Sequence, residues 1–375
     1  MKIVLAFDSF KGSLAAEVAC RIAAEAIVTA CPEAEVVEKP MADGGEGTAA
    51  AIVAASKGEW IPWPATGPLP SMIVDAGFGW LASSRTAIVE MAAASGLTLL
   101  RPDQRNPFQT TTLGTGELIR AVADYGARHI LLAVGGSATV DGGIGAAHAL
   151  GWRFLNRSGH EIAPNGGGLG EIVSIRPPDH HAEFPKITVL ADVTNPLCGE
   201  SGAARIFGPQ KGATAEQAML LDAGLLNLGK LIQRDLGIDV LSLPGAGAAG
   251  GLAAGAVAFM GATITSGVGE VMRIIGLDEA IKDADWALTG EGCLDAQSLQ
   301  GKVISGILQL AHRHGAHVAA LAGRIALTNI EIQTAGITFA DAVTTEKLMF
   351  EEARRNAPEF LEMAVHRFIR ACIKR

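Results

Sequence analysis

Lys2-Ile3-Val4-Leu5-Ala6-Phe7-Asp8-Ser9-Phe10-Lys11-Gly12-Ser13 is the stretch that decides the fold class. Residues 3–7 are an unbroken apolar run of strand length, the pattern of a strand covered on both faces. The run breaks into a short polar loop. Ser13 is a good N-cap for a helix predicted to reach about Ala30, with Leu14, Val18, Ile22 and Ile27 at near-helical spacing. Strand, polar loop, helix is the first β-α unit. The same grammar returns when a strand predicted at residues 35–39 leads into Ala42-Asp43-Gly44-Gly45-Glu46-Gly47, where Thr48 is placed to cap the next helix.

From Met72 the pattern changes. Ile73-Val74-Asp75-Ala76-Gly77-Phe78 and Thr86-Ala87-Ile88-Val89-Glu90 flank a short connection as the arms of a hairpin do. Antiparallel pairing inside a β-α chain marks a second domain, expected to begin near Gly67. A helix follows Leu113-Gly114-Thr115-Gly116, and a strand at residues 129–134 opens into the glycine-rich loop 135–143. The apolar strand predicted at residues 187–191 delivers Asp192, runs into Asn195-Pro196, and is followed by Phe207-Gly208-Pro209-Gln210-Lys211-Gly212. Ligands collect at the carboxyl ends of strands in open α/β sheets, which makes Asp192 and Lys211 site candidates. The plainer reading is an Asx-turn aspartate and a solvated lysine. A leucine-rich helix from Thr214 to about Leu236 then leads to Pro244-Gly245-Ala246-Gly247-Ala248-Ala249-Gly250-Gly251. The last section returns to plain β-α units, with a strand at 285–289, Asp295 just beyond its exit loop, a helix at 302–314, a strand at 317–321 and a terminal helix from about Phe350.

Composition limits the function classes. A chain of 375 residues exceeds one core of ordinary size, so two domains are expected. With 49% hydrophobic and 18% charged residues it is globular. A formal charge of -9 gives no diffuse basic field, which argues against nucleic acid and anionic membrane as partners. The five cysteines form no Cys-x-x-Cys pair and no zinc spacing, as expected of free thiols in a reducing compartment. Residues 3–7 are too short for the apolar core of a signal peptide, so a cytoplasmic protein is expected.

Three motif matches carry different weight. Gly224-x4-Gly229-Lys230 imitates a phosphate loop, but Leu231 stands where the magnesium-holding Ser or Thr belongs, inside an amphipathic helix. Gly245-x-Gly247-x-x-Gly250 fits the dinucleotide fingerprint and supports an NAD-dependent dehydrogenase as a rival, although only a short run, 240–243, precedes it. Gly247, Gly251 and Gly255 repeat a small-xxx-small pattern in a charge-free run, better explained by a tightly packed buried helix than by a membrane span. A glycine loop at a helix start also exposes backbone N–H groups to a phosphate. A non-enzymatic protein that binds a small ligand is the third reading.

Taken together, these loops resemble one family, the class I glycerate kinases, which phosphorylate glycerate with ATP. The matching stretches are residues 8–13, 42–47, 90–97, 114–119, 135–143, 192–197, 207–213, 244–252 and 289–302, in that order along most of the chain. Phe7, Val140 and Cys293 stand where the family pattern carries proline, asparagine and arginine. The resemblance implies an α/β fold of two domains, a flavodoxin-like domain of residues 1–66 and 277–375 interrupted by a second α/β domain, 67–276, with a mixed sheet. It also implies phosphorylation of a hydroxyl of D-glycerate, with 2-phosphoglycerate expected over 3-phosphoglycerate, and ATP and Mg2+ as cofactors. Glycerate and ATP are then the partners.

Phosphoryl transfer requires the protein to align ATP with the hydroxyl and to neutralise phosphate charge. On that chemistry Asp192 is the expected base and Lys11 the catalytic charge. Ser9, Asp43 and Lys211 are expected to bind substrate. Gly245, Gly247, Gly250 and Gly251 would cradle the nucleotide phosphates, and Asp295 would hold magnesium, with Asp43 as the alternative.

Overall fold

The computed structural model describes residues 1–10, 12–179, 184–344 and 350–373. Lys11, the expected catalytic charge, lies outside the described residues. The chain divides into two compact units: Met1–Asp43 with Ala50–Lys57 and Val268–Arg375, and Gly44–Ala49 with Gly58–Gly267.

The first unit is built on a five-stranded sheet in the order Phe339–Ala342, His317–Ala322, Trp286–Gly290, Lys2–Phe7 and Glu35–Glu38, with every pairing parallel. Numbered along this unit alone the order is 2-1-3-4-5, the flavodoxin-like doubly wound arrangement. Ile3, Val4, Leu5, Ala6 and Phe7 are all fully buried, which is why the first strand reads as a continuous apolar run. Ile3, Leu5 and Phe7 pack against the helices Ala16–Ala30 and Ala357–Phe368 through Ala23, Ile27, Leu361 and Phe368. Ala320 and Ala322 of the strand His317–Ala322 pack against Ile304 of the helix Val303–His314.

Two local expectations need correction. The first helix starts at Ala16 rather than beside Ser13, whose hydroxyl donates to the Phe10 carbonyl at 2.8 Å and closes a turn instead of capping. The terminal helix is two helices, Phe350–Arg355 and Ala357–Phe368, and Pro358 sits in the first turn of the second, where its missing N–H has no intrahelical partner to lose.

The second unit carries a six-stranded mixed sheet, Thr263–Thr265, Lys186–Leu190, His129–Ala133, Thr86–Glu90, Ile73–Leu81 and Glu59–Thr66. The first four strands are parallel and the last two pairings antiparallel. The anticipated hairpin is present. Its outer neighbour is the strand Glu59–Thr66, whose run is interrupted by Pro62 and Pro64. Both prolines are tolerated because this strand is the sheet edge. Backbone N–H groups alternate sides along a strand, and that of Gly67 points inward to the Met72 carbonyl. The N–H positions of residues 60, 62, 64 and 66 therefore face outward, and Thr66 N–H is taken by Glu117 Oε2 at 2.7 Å.

The 22-residue helix Ala215–Leu236, started by a capping box between Thr214 and Gln217 and ended by Gly237 at φ 74°, packs against the turn Gly166–Glu171 and the short strand Ser174–Arg176. Leu221, Leu225, Leu228 and Ile232 form its buried stripe, and Gly224-x4-Gly229-Lys230 is plain helix. Residues 241–244 form no strand, so the dinucleotide fingerprint lacks its β-α-β setting. The small-residue run becomes the buried helix Leu252–Met260. No helix among the described residues is long and apolar enough to cross a membrane.

Candidate active site

Parallel pairing brings the carboxyl ends of four strands of the second unit to one edge, and each delivers polar or glycine-rich chain there. Glu90 ends Thr86–Glu90, Gly135 to Ser137 follow His129–Ala133, Asp192 lies two residues past Lys186–Leu190, and Ser266 follows Thr263–Thr265. The Ala191 N–H bonds to the Thr265 carbonyl at 3.0 Å, extending the pairing by one residue. That brings Ser266 beside Asp192, and the serine hydroxyl donates to Asp192 Oδ1 at 2.7 Å. Asp192 is exposed.

The segment Gly44–Ala49 lies across these strand ends. Gly135 N–H donates to the Gly44 carbonyl at 3.2 Å. Gly44 takes φ +84°, and a Cβ there would stand 3.1 Å from the Leu190 carbonyl oxygen and 3.3 Å from Gly267 Cα, so a side chain at this crossing is strained and must displace its neighbours.

Lys211 is 4% exposed, and its ammonium donates to Ser137 Oγ at 2.7 Å and to the Thr139 carbonyl at 2.8 Å. Burial lowers its pKa to about 7, against a smaller upward pull from Asp141. Asp141 is fully buried between two helix starts. Its Oδ2 accepts from Thr112 N–H and Thr112 Oγ1, both at 2.8 Å, and from Gly145 N–H at 3.4 Å, while Oδ1 accepts from Gly143 N–H at 3.0 Å. Burial pushes this carboxyl up, and those donors pull it back toward the ionised form. Lys211 thus ties the loop 207–212 to the loop 135–143 and presents little surface to a ligand.

Gly245, Gly247, Gly250 and Gly251 are buried against the same loops. Gly247 N–H bonds to the Asn195 carbonyl at 3.0 Å, and a Cβ on Gly247 would meet the Pro196 carbonyl. Gly250 has φ +67° with Thr139 and Val140 backbone where its side chain would be, and a Cβ on Gly251 would stand 2.9 Å from Gly142 Cα. Between them Ala249 is held at φ 55°, a left-handed conformation that costs a non-glycine residue of order 1 kcal/mol.

In the first unit the strand order reverses between Lys2–Phe7 and Trp286–Gly290, the kind of place where doubly wound sheets take ligands. Asp8 and Ser9 leave the first strand there. Asp8 N–H bonds to the Gly290 carbonyl at 2.9 Å, and Ser9 N–H to Asp8 Oδ1 at 2.7 Å. Met41 N–H bonds to the Phe7 carbonyl at 2.8 Å, which carries Asp43 to the same sheet edge. Asp295 Oδ1 accepts from Gln297 N–H at 2.8 Å and Ser298 N–H at 3.3 Å, closing an Asx-type turn. The structure therefore gathers Ser9 and Asp43 in one unit, and Asp192, Lys211 and the Gly245–Gly251 loop in the other. Sequence reasoning missed Glu90, Ser137, Asp141 and Ser266 as members of the second group. Only their places beside strand ends or in the glycine loop pointed to them.

The description "Glycerate kinase family" belongs to the family model that matches this sequence over residues 3–373. The chain belongs to that family. A glycerate kinase of Bacillus subtilis (strain 168) is 40% identical over 376 residues, covering 100% of this chain and 98% of its own. The glycerate 2-kinase of Escherichia coli (strain K12) is 41% identical over 360 residues, covering 95% and 94%. A crystal structure of a candidate glycerate kinase 2 from Salmonella typhimurium LT2 superposes with a TM-score of 0.87 at 41% identity, covering 99% of this chain and 98% of that one. This glycerate kinase family member is accordingly an enzyme of the kinase class with the α/β architecture of its relatives. The dehydrogenase reading is set aside by the same match and by the missing strand before Gly245.

Proposed function

We propose that this chain transfers the γ-phosphoryl group of ATP to a hydroxyl of D-glycerate and releases 2-phosphoglycerate. Family membership supports the substrate, and the similarity to a protein named glycerate 2-kinase supports the position. One structural observation carries the chemistry: an exposed carboxylate, Asp192, at the end of a buried strand, with its orientation fixed by Ser266 from the neighbouring strand end. In this reading Asp192 accepts the hydroxyl proton as the oxygen attacks phosphorus, and Ser266 holds the acceptor oxygen in place. Ser9 and Asp43 keep the substrate-binding role expected of them.

The lysines divide the work. Lys211 keeps the loop 135–143 in shape, because its ammonium is engaged by Ser137 and Thr139, and the neutralising charge for phosphoryl transfer is assigned to Lys11. The Gly245–Gly251 loop shapes the nucleotide site through close backbone approach. Among the described residues no three His, Cys, Asp or Glu side chains form a cage for a metal ion. Magnesium favours one or two carboxylates plus substrate phosphates, and Asp295 or Asp43 would supply a carboxylate oxygen to an ion bound with ATP. When bound, it neutralises charge on the β- and γ-phosphates.

The test is ADP release from ATP and magnesium on addition of D-glycerate, with the product passed to enolase. Direct dehydration identifies 2-phosphoglycerate, and a requirement for a mutase first identifies the 3-isomer. No ADP above the blank without glycerate, in folded protein, sinks the proposal.

A further inference from the structure

Glu90 is 9% exposed, and the phosphoryl-transfer scheme leaves it without a role. Its Oε1 accepts from Ala49 N–H at 2.6 Å, and the Gly47 N–H nearby favours the ionised carboxylate. These amides belong to the start of the helix Thr48–Ser56, where the first N–H groups have no intrahelical acceptor. The usual cap is missing here. Thr48 Oγ1 turns back and donates to the Gly45 carbonyl at 2.7 Å, so a carboxylate 41 residues away in sequence does the capping. An anion is favoured at that end by the helix dipole as well.

The capped segment is the one that crosses the site. The Gly44 carbonyl accepts from the Gly135 amide, and a Cβ on Gly44 would stand 3.1 Å from the carbonyl of Leu190, two residues before Asp192. Asp43 precedes it directly in the chain. We infer that Glu90 is a positioning residue for glycerate: its buried carboxylate, through the amides of Gly47 and Ala49, holds Gly44–Ala49 in register over the strand ends that present Asp192. This rests on the glycerate kinase reading above.

Glu90→Gln keeps the shape and one acceptor oxygen, removes the charge, and turns an NH2 toward an N–H. The expected result is a KM for D-glycerate raised about five- to tenfold, with kcat and the KM for ATP within about twofold of wild type. Glu117→Gln is the control. Glu117 Oε1 and Oε2 accept from Thr66 Oγ1 at 2.9 Å and Thr66 N–H at 2.7 Å, so that variant should lose stability without a selective change in KM for glycerate. The amides of Gly47 and Ala49 should exchange with deuterium about tenfold faster in Glu90→Gln. If Glu90→Gln does not fold, Glu90→Asp keeps the charge one methylene short of Ala49 and should move the same KM and the same amides. An unchanged KM for glycerate, unchanged amide exchange, or an equal KM effect in Glu117→Gln overturns the inference. Should the wild type show no glycerate-dependent ADP release, the proposed function has failed, and the exchange of the two amides still decides whether Glu90 holds the segment.

Discussion

Asp192 and Lys211 were singled out by the same sequence pattern, and their surroundings separate them. Asp192 is exposed and accepts from the Ser266 hydroxyl. Asp192→Asn preserves that contact but not the basicity, so turnover should fall by about 100-fold or more while ATP binding, followed by calorimetry, survives. Wild-type turnover in this variant removes Asp192 from the chemistry. Lys211 offers a stability readout instead. Its pKa is about 7 in the folded chain against an ordinary 10.5, so between these values the unfolded chain holds a proton that the folded chain has released. Stability therefore rises with pH through that window. The stability of wild type minus that of Lys211→Met, from urea unfolding, should grow with pH above about 7, at up to about 1.4 kcal/mol per pH unit, and run flat below it. A difference that is flat from pH 6 to 10 would show that the ammonium stays charged in the fold.

Among the elements, the Gly245–Gly251 loop is the most constrained piece of backbone at the site. Gly250→Ala forces a side chain at φ +67° into the Thr139 and Val140 backbone and should cost about 3 kcal/mol or more, measured by chemical denaturation. Gly170→Ala, with nothing within 4 Å of its new Cβ, should stay within about 0.5 kcal/mol of wild type. Sequence reading found the elements whose pattern has one cause. Residues 3–7 showed an unbroken apolar run because both faces are covered, and the leucine-rich run after Thr214 announced a helix that begins at Ala215. It failed where tertiary context overrides local preference: two prolines hid the edge strand Glu59–Thr66, and Ser13 offered a cap to a helix that starts three residues later. The site divides the same way. A carboxylate after an apolar strand was legible. Its partner Ser266, 74 residues on, and the helix-capping role of Glu90 exist only once strands have paired.

At the scale of the whole molecule, two units with separate sheets and separate cores should not unfold as one two-state transition. Trp60, Trp63, Trp80 and Trp152 lie in the second unit and Trp286 in the first, so tryptophan fluorescence follows mainly one unit and far-UV circular dichroism both. The two signals should give different midpoints in urea, and the calorimetric enthalpy should exceed the van't Hoff value. Coincident curves by both probes would mean that the units unfold as one. The second unit also ends in an open strand, ordinarily a template on which another chain can grow a sheet. Here the outward row from residue 60 to residue 66 has lost two donors to Pro62 and Pro64 and a third to Glu117, which leaves the amide of Trp60. A second copy meeting this border finds acceptors without the matching donors, so neighbouring molecules at high concentration can touch there without being stitched together.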